Sequence, residues 1–413
     1  MKLPDKVAVP IGLCFLVAVL EGFDIQAMGV AAPRLAPLFG FDAQQMGWVF
    51  SISNIGLVIG ASIGGWLADK SGRKPVLMGA VAAFGSFTFA TAFAGSYETL
   101  LAVRFCAGLG FGAALPNLMA IASEISRPGK AATTAAAMFC GMPVGGGMAA
   151  LTTQLLPPDF DWRTLFFLGG VLPILLLPAL RWLMPETLVR VSVSSTPRTP
   201  VARVLFAEGR VAPTLLLWLA FLPTLLILYL FLNWLPTLVI AKGLEVTVAP
   251  RASMAFNFGS VAGALLLGAL VDRFHFRWPL TLAYLALIVT LILLGASSSH
   301  AVVIALSGAV GFFLLGANYA LYGVAPGYYP KEIRGTGSGA SIAVGRVGSI
   351  AGPLLAGLLM GGGTSATGVV QYMVPVAAIS AIAVFALSFH SRTQPPGKGR
   401  PSVEGRPVTQ RPM

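Results

Sequence analysis

The chain has 413 residues, 56% hydrophobic and 10% charged, with a formal net charge of +12 and a mean hydropathy of +0.83. So apolar a composition excludes a soluble multidomain protein and specifies a polytopic, all-α membrane protein whose natural surroundings are a lipid bilayer. The basic residues fall in short clusters between apolar runs and form no continuous stripe, so no nucleic-acid partner is expected and their use is to set membrane orientation.

Apolar runs long enough to span about 30 Å of hydrocarbon recur through the chain. The reading places twelve spans near 8–32, 46–68, 75–94, 99–123, 131–154, 164–184, 211–240, 250–271, 279–297, 301–325, 337–360 and 369–390. The first begins after Lys2 and Lys6 but is too long for a signal peptide and contains Glu21, so it reads as a retained helix. Within it, Leu20-Glu21-Gly22-Phe23-Asp24 puts two carboxylates at membrane depth. Each ionised acid there costs roughly 2.5 to 3.5 kcal/mol on insertion scales, a cost that implies a use. Helical spacing sets Glu21 and Asp24 on one face, directed at a bundle interior or a wet cavity. Burial and mutual repulsion both favour the neutral acid, which makes the pair candidate proton carriers. A purely structural ion pair with a neighbouring cation is the competing reading.

The second span closes on Gly65-Trp66-Leu67-Ala68-Asp69-Lys70, and the eighth closes on Gly268-Ala269-Leu270-Val271-Asp272-Arg273. The same helix ending at the same place in each half is what a duplicated six-helix unit would leave. Between the halves, residues 185–210 are polar and rich in Ser, Thr, Pro and Arg, and read as a linker. The expected organisation is therefore a first half over 1–184, a linker over 185–210, a second half over 211–390 and a disordered tail over 391–413. Alternating the loops across the membrane leaves only Arg34, Arg163, Lys242 and Arg251 on one side, while the other collects Lys70, Arg73, Lys74, Arg127, Lys130, Arg273, Arg277, Lys331, Arg334 and both termini. By the positive-inside rule that second side is cytoplasmic, and the expected location is a bacterial inner membrane.

The block Gly65-Trp66-Leu67-Ala68-Asp69-Lys70-Ser71-Gly72-Arg73-Lys74 resembles the signature of the major facilitator superfamily between its second and third helices. The resemblance implies a fold of twelve transmembrane helices in two six-helix halves. In that motif Gly65 would permit close helix approach, Gly72 a tight turn with positive φ, and Asp69 would face the positive N-terminus of helix eleven near Gly335-Thr336-Gly337. With Arg73 and Lys74 these residues would latch the outward-open state. Glu21-Gly22-Phe23-Asp24 is similar to the acid-Gly-x-Asp signature of the aromatic acid:proton symporter branch. Within that branch the chain most resembles the bacterial 3-(3-hydroxyphenyl)propionate transporters, through Ile11 to Val17, Gly112 to Leu118, Asn233-Trp234-Leu235-Pro236 and Ala343-Val344-Gly345-Arg346. The function implied is uptake of a small aromatic acid, phenylpropionate-like or benzoate-like, together with protons, by a monomer without cofactor or metal.

Two arginines, Arg104 and Arg346, lie within spans, and each requires a carboxylate, an anion or water. Arg104 is expected to pair with the helix-one acids when the site is empty, and Arg346 to receive the substrate carboxylate. Gln26, Asn117 and Asn233 could hydrogen-bond a substrate or tie helices together. Tyr322, with Tyr229, Tyr319, Phe111 and Phe139, could stack on a substrate ring or only pack. In the fifth span Gly141-Met142-Pro143-Val144-Gly145-Gly146-Gly147 partly matches a signature of drug:proton antiporters, so an exporter of drugs or aromatic compounds is the alternative. Cys14, Cys106 and Cys140 lie inside apolar runs, and His275, His300 and His390 fall at run ends or beyond. No disulfide framework, metal cluster or nucleophile-base pair is visible, and an enzyme is not expected.

Overall fold

The computed structural model describes residues 5–125, 134, 137–157, 160–186, 200–330 and 333–390. The expected tail over 391–413, the middle of the linker and the basic loop residues Arg127, Lys130 and Lys331 lie outside the described residues.

Among the described residues the long helices, in chain order, are twelve: α1 (Asp5–Phe39), α2 (Ala43–Ser71), α3 (Arg73–Thr91), α4 (Tyr97–Ile125), α5 (Gly141–Leu155), α6 (Arg163–Leu183), α7 (Val211–Ala241), α8 (Val248–Phe274), α9 (Arg277–Ala296), α10 (His300–Val324), α11 (Arg334–Gly361) and α12 (Ala366–Leu387). Ten of them have the length and hydropathy to cross a bilayer unaided. The other two are α3, which opens on Arg73 and Lys74, and α5, described over 15 residues. Both are lodged between neighbours, α3 between α4 and α6, α5 between α1 and α8. Most helices run a few residues past the apolar stretches that the sequence marked, because helices continue into the headgroup region where local caps replace lipid. At the start of α2, Asp42 Oδ1 accepts from the Gln45 amide at 2.7 Å and the Asp42 amide donates to Gln45 Oε1 at 3.0 Å, closing a capping box.

Neighbour relations show the duplication. Among the first six helices α1 packs on α5, α2 on α4, and α3 on α4 and α6; among the last six α7 packs on α11, α8 on α10, and α9 on α10 and α12. Adding six to each label maps one set onto the other. The repeat also holds in the backbone: α2 turns into α3 at Gly72, with φ 91°, and α8 turns into α9 at His275, with φ 61°. Leu175, Leu266, Leu282, Val289 and Ile382 are exposed, the apolar exterior that lipid requires.

The two sets of helices meet through α2 with α11, α5 with α8, and α1 with α7. These contacts gather at the end of the bundle opposite the termini. There Ser51 Oγ donates to the Ile350 carbonyl at 2.8 Å, Gln154 Nε2 donates to the Thr247 carbonyl at 3.2 Å, and the Phe50 and Trp234 rings meet edge-on at 5.3 Å. Gly47 and Gly357 bring the α2 and α11 backbones together. Toward the termini the same two helices part: beside Gly65 on α2, and beside Gly335 and Gly339 on α11, there is open space. The bundle is thus closed at the far end and open at the end carrying the termini.

The sequence placed no element in the linker, yet Val201–Phe206 forms a short helix with Val204 and Leu205 buried. Arg210 anchors it, Nε donating to the Val204 carbonyl at 2.9 Å and Nη1 to Glu208 at 2.6 Å. The Thr214 hydroxyl donates to the Leu205 carbonyl at 2.9 Å, tying the linker to the base of α7.

Candidate functional site

Glu21 and Asp24 sit midway along α1, both with 0% of their surface exposed. Gly22 between them faces α5 so closely that a Cβ there would run into the Met142 backbone. α1 is therefore clamped against α5 on its glycine side, and the acids are directed at the remaining neighbours. From α4, Arg104 Nη1 lies 2.8 Å and 3.0 Å from the two Asp24 carboxylate oxygens, with Arg104 itself only 2% exposed. The Phe166 ring stands 5.9 Å from the guanidinium. The expected pairing of Arg104 with a helix-one acid is present, and Asp24 is the acid it takes.

Glu21 has a different environment. Neither of its carboxylate oxygens has a hydrogen-bond partner among the described residues. Its electrostatic neighbours are Arg346 and Asp24. Arg346 comes from α11, across the seam, and its Nη1 donates to the Tyr229 hydroxyl of α7 at 2.8 Å. Tyr322 is also within electrostatic reach of Arg346. The Tyr322 ring leans on Phe221 at 5.5 Å and on Tyr319 at 6.1 Å. A buried acid from one half therefore faces a guanidinium from the other, beside a wall of aromatic rings. Unlike Arg104, Arg346 is partly exposed and has no carboxylate within ion-pair distance among the described residues.

The amide side chains divide by role. Gln26 Nε2 donates to the Leu232 carbonyl at 2.9 Å, and Asn257 Nδ2 donates to Gln26 Oε1 at 3.1 Å, so Gln26 ties α1 to α7 and α8 across the closed end. Asn117 is fully buried and its Nδ2 donates to the Ala113 carbonyl of its own helix at 2.8 Å. Asn233 Nδ2 does the same to Tyr229 at 2.7 Å. Gln26 and Asn117 thus each donate to a backbone carbonyl of the bundle, while the buried Asn117 amide oxygen has no hydrogen-bond partner among the described residues. Asn233 borders a small cavity with Ile25, Met28, Val49, Phe50, Ser53, Asn54 and Arg104. Tyr229, read from the sequence as a possible ring contact, is here the hydrogen-bond partner of Arg346, whereas Asn257 did not stand out in the sequence as a site residue. Tyr229 lies four residues before Asn233 on one face of α7.

The latch motif is only partly realised. Gly72 has the expected positive φ. Arg73 Nε pairs with Glu124 of α4 at 2.8 Å, within its own half. Asp69 and Lys74 make no hydrogen bond or ion pair with α11 among the described residues. Asp69 is exposed and has no hydrogen bond or ion pair among the described residues, and nothing lies against Gly65. The reason is the splay: the contact expected at helix eleven belongs to the end that stands open. Lys70 lies over the Trp66 ring at 3.7 Å.

Two repeated six-helix sets, an acid and a guanidinium facing each other across their seam, and an opening at one end define a secondary transporter of alternating-access architecture. The profile of the Major Facilitator Superfamily matches residues 14–255 and 246–412, and the chain belongs to that family. It is 42% identical to the 3-(3-hydroxy-phenyl)propionate transporter of Escherichia coli (strain K12), over 95% of this chain and 96% of that one. It is 35% identical to a 4-hydroxybenzoate transporter of Pseudomonas aeruginosa over 90% of each chain, and 34% identical to a gallate transporter of Pseudomonas putida over 84% of each. Among solved structures, the D-xylose-proton symporter superposes with a TM-score of 0.74 at 14% identity, covering 93% of this chain and 97% of that one. A bacterial homologue of the human lysosomal transporter Spinster gives 0.74 at 18%, covering 94% and 97%; these two share the fold.

Proposed function

We propose that this chain imports a small aromatic monocarboxylate, phenylpropionate-like, hydroxyphenylpropionate-like or benzoate-like, across the bacterial inner membrane with protons, working as a monomer with both termini cytoplasmic. The observation that carries the reading is Arg346, a partly exposed cation at the seam, ringed by Tyr229 and Tyr322 and opposed by the unpartnered Glu21. A carboxylate fits the guanidinium by two parallel hydrogen bonds, and a flat ring fits the tyrosine wall. The aromatic-acid names of the related transporters support the same substrate class.

Coupling follows from competition for one cation. An ionised Glu21 and a substrate carboxylate both seek Arg346. A proton on Glu21 frees Arg346 for the substrate, and loss of that proton on the cytoplasmic side returns Arg346 to Glu21 and expels the substrate. By reciprocity, whatever tightening of substrate the proton gives, substrate gives to the proton. Asp24 has its charge committed to Arg104, so it shapes the field around Glu21 and holds α1 on α4. Closure of the far end and opening at the termini are then one end state of a rocking cycle, with the positive-inside pattern assigning the open end to the cytoplasm.

The test is uptake of labelled phenylpropionate, 3-hydroxyphenylpropionate and benzoate into proteoliposomes with acid outside. The intact protein is expected to accumulate at least one of them, more at low external pH. Arg346→Lys is expected to raise KM roughly 10- to 100-fold, the worth of a lost charge-assisted pair. Glu21→Gln is expected to keep exchange of substrate for substrate but to lose accumulation. Accumulation driven only by acid on the trans side would replace import by export, and unchanged uptake by Arg346→Lys would remove the anion-receiver role.

A further inference from the structure

The segment Gly141-Met142-Pro143 in α5 belongs to neither the acid pair nor the ring wall. Helix covers 137–139, gives way to a turn at Cys140 and resumes at Gly141. Pro143 has no N–H, so the carbonyl four residues earlier, that of Phe139, is deprived of its helical donor. A free carbonyl inside a membrane bundle needs another donor. The structure supplies one from the other half: the Tyr319 hydroxyl of α10 donates to the Phe139 carbonyl at 3.0 Å. This bond joins the halves on the termini side of the site, where α2 and α11 have already parted. The Tyr319 ring leans on Tyr322, and Tyr319 lies within electrostatic reach of Tyr229 and Arg346.

We propose that Pro143 and Tyr319 form the inner gate: the proline exposes a backbone acceptor on α5, the tyrosine of α10 closes on it, and the bond must break before the site empties toward the termini. Tyr319 is a positioning residue in this scheme. It links the ring wall to the gate, so a substrate ring that displaces Tyr322 also loosens the closing bond. The gate serves the importer proposed above, but its test requires no substrate.

Cys140, beside the gate and 8% exposed, is a native reporter. In a Cys14→Ser, Cys106→Ser background, the alkylation rate of Cys140 is measured with a membrane-impermeant maleimide applied from the termini side. Tyr319→Phe keeps the ring and removes the donor. Pro143→Ala restores the N–H and returns the carbonyl to its helix. Each is expected to raise the rate roughly two- to tenfold, the worth of one hydrogen bond. The double variant is expected to exceed neither single one, because both remove the same bond. Tyr319→Phe without a faster rate, or a double variant whose effects multiply, overturns the gate. Where Pro143→Ala does not fold, Tyr319→Phe decides alone. Failure of aromatic acid uptake with these labelling results intact would overturn the transport reading and leave the gate standing.

Discussion

Asp24 and Glu21 stand one helical turn apart, and the side chains opposite them give them different work. Asp24 meets a guanidinium 2.8 Å away that is sealed from water. Removing one partner of such a pair leaves a bare buried charge and costs about 3 to 5 kcal/mol. Asp24→Asn is accordingly expected to lower the melting temperature in detergent sharply, and Asp24→Asn with Arg104→Gln to recover part of the loss. Glu21→Gln is expected to leave melting nearly unchanged, since no bond is broken. An Asp24→Asn protein as stable as the parent would show that the pair is not the tie between α1 and α4. Composition and spacing made both acids visible as a costly pair. Which acid Arg104 takes depends on the relative rotation of α1 and α4, which neither helix encodes alone.

At the scale of the helix, the turn between α2 and α3 and its repeat between α8 and α9 make a natural comparison. Gly72 has φ 91° and ψ 160°, a region open in practice to glycine. His275 has φ 61° and ψ 147° in the matching place, its ring tilted against Phe276 with centroids 4.7 Å apart. Conformations of that kind cost a residue with a Cβ about 1 to 3 kcal/mol. Gly72→Ala is therefore expected to destabilise by about that much, and His275→Gly to stabilise by a similar or smaller amount, both read from melting temperatures. A destabilised His275→Gly would mean that the ring contact outweighs the strain. The glycine turn was legible because Gly72 follows a helix ending in Asp69-Lys70. Its worn copy was not, because histidine carries no signal for positive φ. The short helix over Val201–Phe206 was hidden for a similar reason: six residues bury two apolar side chains only once α7 and Arg210 are in place to receive them.

Over the whole molecule, α2 and α11 of the two halves are packed together at the far end and part toward the termini. Gln26, Asn257 and Ser51 join the halves there, while Asp69 waits unpaired at the open end. The latch role proposed for Asp69 in the opposite state predicts an effect on turnover without an effect on the stability of this arrangement. Asp69→Asn is expected to cut the uptake rate roughly 5- to 30-fold, in keeping with about 1 to 2 kcal/mol at a helix N-terminus in a partly buried setting. Its melting temperature in the open-to-termini state is expected to be that of the parent. A matching fall in melting temperature would assign Asp69 a static role instead.

The sequence by itself determined the solvent, the spans and the duplication, because lipid demands long apolar helices and a repeated six-helix unit leaves repeated endings. It also exposed the acids and arginines, because charge at membrane depth is too costly to be incidental. Tertiary structure alone decided that Asp24 is tied to Arg104 while Glu21 has no hydrogen-bond partner among the described residues, that Gln26 joins α1 to α7 and α8, that Tyr229 is the partner of Arg346, and that Asp69 stands apart from α11. Those outcomes depend on distances between helices far apart in the chain and on which end of the seam is shut. A local pattern of residues contains neither.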